Sequence, residues 1–230
     1  MIPLAIISIK CTSALDEGLI LTPERYHPGR LLTIKKSTSG IYLGDLVNIT
    51  SKTISPKAIE KNNQSVYVLD TGDVFEGRIR GDKDIAYSIK SQKKIIQAED
   101  VIISRLRPYL RQVGFVDKTL IEKFHPDTIF CCSTEFYVLS PKKSESIAFL
   151  VPYLLSDSIH RILCNSVEGS QHPRFNEEVL LSLIIPETIL KKREHLSKQV
   201  IEAIKRYRDY EETIYDSIKN VNYSLEEILV

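Results

Sequence analysis

An α+β fold, a mixed, sheet-rich domain followed by a long C-terminal coiled-coil helix, is predicted by three features of this 230-residue chain. Short runs dense in β-branched and aromatic residues recur up to about position 155, separated by turn signals. Apolar residues then take up helical spacing between positions 145 and 165. After Pro186 the composition changes completely, to a charge-rich segment whose apolar residues fall three and four apart. The expected boundaries follow: a domain over 1–186 and a helix over 187–230.

The opening run, Met1 to Ile9, is apolar but short and has no basic stretch ahead of it, so it reads as a first strand rather than a targeting sequence. Val66-Tyr67-Val68-Leu69, Val101-Ile102-Ile103 and Phe136-Tyr137-Val138-Leu139 read as strands, bounded by Asp-Thr-Gly, Glu-Asp and Ser-Pro signals. Ile147 to Leu155, continued by Ile159, Ile162 and Leu163, reads as one or two amphipathic helices closed by a turn at Gly169. Pro186 follows the apolar run Val179 to Ile185 and is placed to open a helix, because its missing N–H would be unpaired there in any case. Beyond it Ile204, Tyr207, Ile214, Ile218, Val221, Leu225 and Ile228 form a seven-residue repeat when Glu211 is counted as its polar member. The charges around this seam, Arg208 among them, largely cancel and read mostly as a solvated face. A helix of this length, roughly 60 Å at 1.5 Å per residue, outruns a domain of this size, so its seam is expected to pair with another helix.

Composition excludes more than it identifies. With 43% hydrophobic and 27% charged residues there is no bias towards disorder, and a formal net charge of +1 requires any basic face to be local. Cys11, Cys131, Cys132 and Cys164 form no CxxC pair, and no histidines stand at zinc-ligand spacing, so reduced thiols in a cytoplasmic protein without a metal site are expected. No run approaches the roughly 20 apolar residues that span a bilayer, and no membrane association is expected. Walker A, GxGxxG, HExxH, GxSxG and Asn-Pro-Pro-Tyr type motifs are missing from the sequence. Asp127 has no Glu-x-Lys after it at usable spacing, and His27, His125, His160, His172 and His195 are scattered. Neither catalysis by this chain nor a bound cofactor is therefore expected.

Three segments carry candidate contacts to nucleic acid. In Phe75 to Lys83, extended backbone would put Arg78 and Arg80 on one face, with Lys83 close by, suited to phosphates or guanine edges. Asp73, Glu76, Asp82 and Asp84 neutralise much of that charge, so a solvent-facing hairpin is an equal reading. In Arg105 to Arg111, alternation lets Arg105, Arg107 and Arg111 share an edge while Leu106 and Leu110 enter the core. In Glu168 to Asn176, a glycine-led turn carries Gln171, His172 and Arg174, with donors and acceptors suited to purine edges. The plainer reading of that turn is a loop capping the next element through Asn176, with Glu177 and Glu178 in its first turn.

Glu99 to Arg111 and Cys132 to Pro141 together resemble the target recognition domain of type I restriction-modification specificity subunits. Leu15-Asp16, Arg25-Tyr26-His27-Pro28, Tyr42 to Val47, Tyr153-Leu154-Leu155, Gly169 to Arg174, and Leu183 to Pro186 before a long helix follow the family's order. The resemblance implies a non-catalytic reader of double-stranded DNA that directs a separate DNA methyltransferase subunit and, in a restricting system, a restriction or translocase subunit, as part of anti-phage defence. It also implies that Arg107-Pro108-Tyr109-Leu110 supports the fold or positions the backbone, since that piece recurs among members reading different sequences. A complete member carries two recognition domains and two long helices, whereas this sequence has one of each and no internal repeat, and so resembles a half-subunit. A homodimer joined through the helix would then read an interrupted palindrome. The rival from another class is a non-catalytic coiled-coil adaptor whose sheet domain binds protein, which fits the near-neutral charge.

Overall fold

The computed structural model describes residues 39–169 and 171–229. The expected strand at Met1 to Ile9, the Leu15-Asp16 and Arg25 to Pro28 matches, Cys11, and the side chain of Ile228 lie outside the described residues. In chain order the elements are β1 (Gly40–Tyr42), α1 (Leu43–Leu46), β2 (Val47–Ile49), β3 (Thr53–Ile54), α2 (Pro56–Asn62), β4 (Val66–Leu69), β5 (Val74–Phe75) and β6 (Arg78–Ile79). They continue with β7 (Lys93–Ile95), β8 (Val101–Ser104), β9 (Val113–Phe115), α3 (Lys118–Glu122), β10 (Ile129–Cys132) and β11 (Phe136–Pro141). The chain closes with α4 (Leu150–Leu155), α5 (Asp157–Asn165), α6 (Glu177–Leu181), β12 (Ile184–Pro186), α7 (Glu187–Leu190) and α8 (Arg193–Leu229).

The order β2-β11-β8-β9 forms an antiparallel sheet buried on both faces. Successive side chains of a strand point to opposite faces. Ile102, Phe136 and Val138 accordingly enter a core shared with Tyr67, Leu69, Phe130 and Cys132 of the second sheet. Val101, Ile103, Tyr137 and Leu139 enter a core shared with Phe149, Leu150, Leu154, Ile162 and Leu180 of the helices. Burial on both faces is why β8 and β11 read as continuous apolar runs rather than alternating ones. The second sheet has the order β3-β7-β10-β4, with β10 parallel to β4 and antiparallel to β7. Cys131 and Cys132 are buried on β10 and free, and burial pushes their thiols up to about 11 and about 12, as inert packing groups. Cys164 is free and half-buried.

The apolar segment after β11 divides into α4 and α5 because Ser156 turns extended, with ψ at 144°. Tyr153 of α4 donates its hydroxyl to the Ile184 carbonyl at 2.9 Å, fixing these helices against β12. Pro186 closes β12 opposite Gly40, an edge position that tolerates a residue with no N–H for the ladder, and also stands at the N-cap of α7, which begins at Glu187. The helix then reorganises at Lys191-Lys192 before α8.

The 37 residues of α8 divide by environment. Ser197 is buried and accepts from the Phe149 N–H at 3.2 Å, and Ile204 belongs to the helix-side core. Ile204 and Tyr207, expected on an intermolecular seam, thus sit against the chain's own domain, at 7% exposed and half-buried respectively. Arg208, read from sequence as solvated, is buried. From Glu212 to Glu226 every residue is exposed, and Ile214, Ile218, Val221 and Leu225 line one apolar stripe there. Among the described residues no helix is long and apolar enough to cross a membrane.

Candidate nucleic-acid interface

The Arg105 and Arg174 segments, 69 positions apart, are stitched together at one edge of the central sheet. After β8 the chain continues extended, with Arg105 N–H donating to the Glu135 carbonyl at 2.9 Å. Arg107 N–H donates to the Pro173 carbonyl at 2.9 Å, Phe175 N–H donates to the Arg105 carbonyl at 3.2 Å, and Leu106 bridges Arg174. Arg174 in turn exchanges both backbone bonds with Glu168. Gly169, at φ +87°, permits the reversal that brings this second strand back.

Glu135, in the turn before β11, is the electrostatic centre of this edge. Its carboxylate takes a two-pronged grip from Arg174, Nη2 to Oε1 at 2.7 Å and Nε to Oε2 at 2.8 Å, and a third bond from Arg105 Nε at 3.2 Å. Bonds first from Arg174 and then from Arg105 hold the Glu135 carboxyl below the usual carboxylate range, against the opposing effect of its own burial. The remaining Arg174 nitrogen, Nη1, donates to the His172 carbonyl at 3.1 Å, so each nitrogen of this guanidinium makes a bond that shapes the turn. Arg105 also lies 6.0 Å from the centre of the Tyr137 ring, whose hydroxyl donates to the Phe175 carbonyl. Lys94, which sequence reasoning missed, joins from β7, donating to the Phe136 carbonyl at 2.7 Å and lying 5.5 Å from the same ring centre. Its partial burial pushes the ammonium below its ordinary value.

Arg107 is placed differently. It adopts the left-handed conformation, φ +50° and ψ +62°, immediately before the 3₁₀ turn Pro108–Leu110, and among the described residues no ion pair or hydrogen bond holds its guanidinium. Tyr109 and Leu110, beside it, are 56% and 47% exposed; Leu110 therefore does not enter the core as its spacing suggested. Gln171 and His172 are exposed on the neighbouring turn. The result is a tip bearing Arg107, Tyr109, Gln171 and His172 over a frame tied by Arg105, Glu135 and Arg174.

The other candidates lie apart from this tip. Arg111, at φ +51°, donates to the Leu155 carbonyl at 3.1 Å and to Asp157 Oδ1 at 2.7 Å, bracing the α4–α5 junction. Arg78 and Arg80 belong to the β5–β6 hairpin, whose Glu76-Gly77 turn has positive φ at both central residues, and this hairpin faces α8. Arg78 lies 5.6 Å from the Tyr207 ring centre, Arg80 pairs with Asp82 at 2.6 Å, and Lys83 binds Asp73 and the Val68 carbonyl. Glu135 was legible only as an acid between two arginine-bearing segments, and nothing in the sequence marks it as their shared partner. Among the described residues no cluster of three or more His, Cys, Asp or Glu could hold a metal ion.

A family model described as the type I restriction modification DNA specificity domain matches residues 40–220. A chain from a structure described as the structural basis underlying complex assembly and conformational transition of the type I R-M system aligns with a TM-score of 0.55 and 22% identity. That match covers 79% of this chain and 46% of that one. The HsdS subunit from Thermoanaerobacter tengcongensis aligns with a TM-score of 0.52 and 19% identity, over 81% of this chain and 47% of that one. The chain thus spans just under half the length of these structures, and likeness at such identities speaks for the fold alone. No curated protein matches the chain.

Proposed function

The chain belongs to the type I restriction modification DNA specificity domain family, and from that premise we propose that it is a non-catalytic, sequence-reading DNA component. It meets duplex DNA through the tip formed by Arg107, Gln171 and His172. The observation that supports this assignment is the convergence of the Arg105–Arg111 and Glu168–Asn176 segments on Glu135, with no ion pair or hydrogen bond on the Arg107 guanidinium among the described residues. A guanidinium donates in a planar fork that fits a phosphate or the O6 and N7 of guanine, and Gln171 suits the N6 and N7 of adenine. Arg105 and Arg174 hold the tip in register, and Arg78, Arg80, Lys83 and Arg111 serve the surrounding frame, each through the partner already described.

In this reading a methyltransferase subunit supplies the chemistry and, in a restricting, anti-phage system, a restriction or translocase subunit acts at the same target, all in the cytoplasm where the DNA lies. A second copy pairs through the distal stripe of α8, Ile214, Ile218, Val221 and Leu225, whose spacings of four, three and four residues match a coiled-coil seam and which are 43–57% exposed. The paired heads then address two half-sites of an interrupted target. The adaptor reading is favoured by one observation, the partial neutralisation of Arg105 and Arg174 by the single carboxylate of Glu135. A salt titration of binding to random and selected duplexes separates the two, because each neutralised phosphate contributes a slope of about −0.9 in log K against log salt. A steep slope together with enrichment of defined sequences supports the DNA reader; absence of DNA binding at low salt overturns it in favour of the adaptor.

A further inference from the structure

We propose that Arg208 is a positioning residue for two-headed reading: it fixes the angle at which α8 leaves the recognition domain, and so restricts the dimer to one half-site spacing. This rests on the DNA-reading and dimer assignment above and adds to it the element that sets the ruler. Arg208 and Asp117 side chains are each 8% exposed and Glu211 is 14% exposed. Arg208 Nη2 reaches Asp117 Oδ2 at 2.7 Å, Nε reaches the same oxygen at 3.2 Å, and Nη1 donates to the Ile79 carbonyl at 2.7 Å and to Glu211 Oε2 at 2.6 Å. Glu211 Oε1 accepts from Gly81 N–H at 3.1 Å, and Asp117 Oδ1 accepts from Leu120 N–H at 2.9 Å, capping α3. One guanidinium therefore ties α8 to β6, to the backbone just beyond it, and to the start of α3.

Apolar contacts between a helix and a domain can slide, whereas a planar guanidinium with its carboxylates buried satisfies all its bonds in one orientation. The position of this clamp gives it leverage, since every residue of α8 from Glu212 to Glu226 is exposed beyond it. Leu229 lies 21 residues beyond Arg208 (229 − 208), roughly 32 Å at 1.5 Å per residue. A swing of about 6° at the clamp would move that end by about one base-pair step of 3.4 Å. Gly81 reports on the same geometry, because a Cβ placed there would come within 2.7 Å of Arg208 Nη1 and 2.8 Å of Glu211 Oε2. A methyl group at this position would displace the clamp without altering any charge.

The test is selection from a random duplex pool by the purified full chain, as wild type, Arg208→Lys and Gly81→Ala, followed by affinity measurements on a series of spacer lengths and on a single half-site. The wild type is expected to enrich paired half-sites at one spacing, with a preference of about 100-fold or more over neighbouring spacings. Both variants are expected to enrich the same half-site and bind it singly as the wild type does, while the spacing preference falls to a few-fold. Gly81→Ala keeps the test decisive should circular dichroism show that Arg208→Lys does not fold. Unchanged spacing selectivity in the folded variants overturns the proposal, as does loss of single-half-site binding by them. A wild type that enriches only single half-sites overturns the ruler and leaves the DNA reader standing, whereas a wild type that binds no DNA overturns both.

Discussion

Glu135 determines which arginines of the tip remain available to a partner. Arg174 and Arg105 share one counter-charge and tie the frame together through it, so substitution at Arg107 is expected to isolate binding from folding. Arg107→Gly should weaken DNA binding and reduce the salt slope by about 0.9, the share of one phosphate, with the Tm unchanged. Glycine removes the strain of a left-handed φ, on the order of 1 kcal/mol, and costs a similar amount in unfolded-chain entropy. The Glu135 carboxyl is held low by Arg174 first and Arg105 next, so its contribution to stability is present above the unfolded glutamate value, about 4.3, and is lost as pH falls through the lower folded value. Unfolding of wild type and Glu135→Gln is therefore expected to differ at neutral pH and to converge under acid. Alternation along Arg105 to Arg111 revealed the arginines, but their shared acid lies 30 and 39 positions away and only the tertiary turn unites them. Nor could spacing reveal that Arg107 leaves the strand for a left-handed turn, which is why Leu110 surfaced instead of entering the core.

At the level of elements, strands buried on both faces were the most legible part of the fold. Val101-Ile102-Ile103 and Phe136 to Leu139 are apolar without interruption because two cores share one sheet. Ile102, facing the inter-sheet core, is expected to cost about 2–5 kcal/mol on replacement by alanine, measured by denaturant unfolding. The long helix was legible in length but not in the division of its faces. Ile204 and Tyr207 are apolar for the domain while Ile214, Ile218, Val221 and Leu225 are exposed, and a heptad pattern cannot distinguish these roles. The available signal was polar: Arg208 and Glu211 fall four and seven positions after Ile204, on the face that enters the core. Asp117→Ala, which strands Arg208 and uncaps α3, is expected to destabilise the domain by about 3–5 kcal/mol, again in denaturant. Asp117→Asn, which retains a capping oxygen, should lose less.

For the whole molecule, the free portion of α8 makes assembly and folding separable. Ile218→Asp is expected to convert a dimer to a monomer in light scattering while leaving the domain's Tm in place, since Ile218 is 56% exposed and lies in the stretch from Glu212 to Glu226 where every residue is exposed. A dimer that survives this change would place self-association elsewhere. The net charge of +1 was the sequence feature least suggestive of a DNA reader, and the internal pairing of Arg105 and Arg174 with Glu135 is part of the local balance behind it. That pairing bears on how such a protein would search a genome. Much of the pull between a basic surface and an arbitrary stretch of duplex comes from the cations the DNA sheds, and two arginines that share one carboxylate present a net charge of +1 in place of +2 and release fewer of them. Random DNA would then hold the protein more briefly than two unpaired arginines would allow, and a long residence would belong to sequences that engage Arg107 and its neighbours directly.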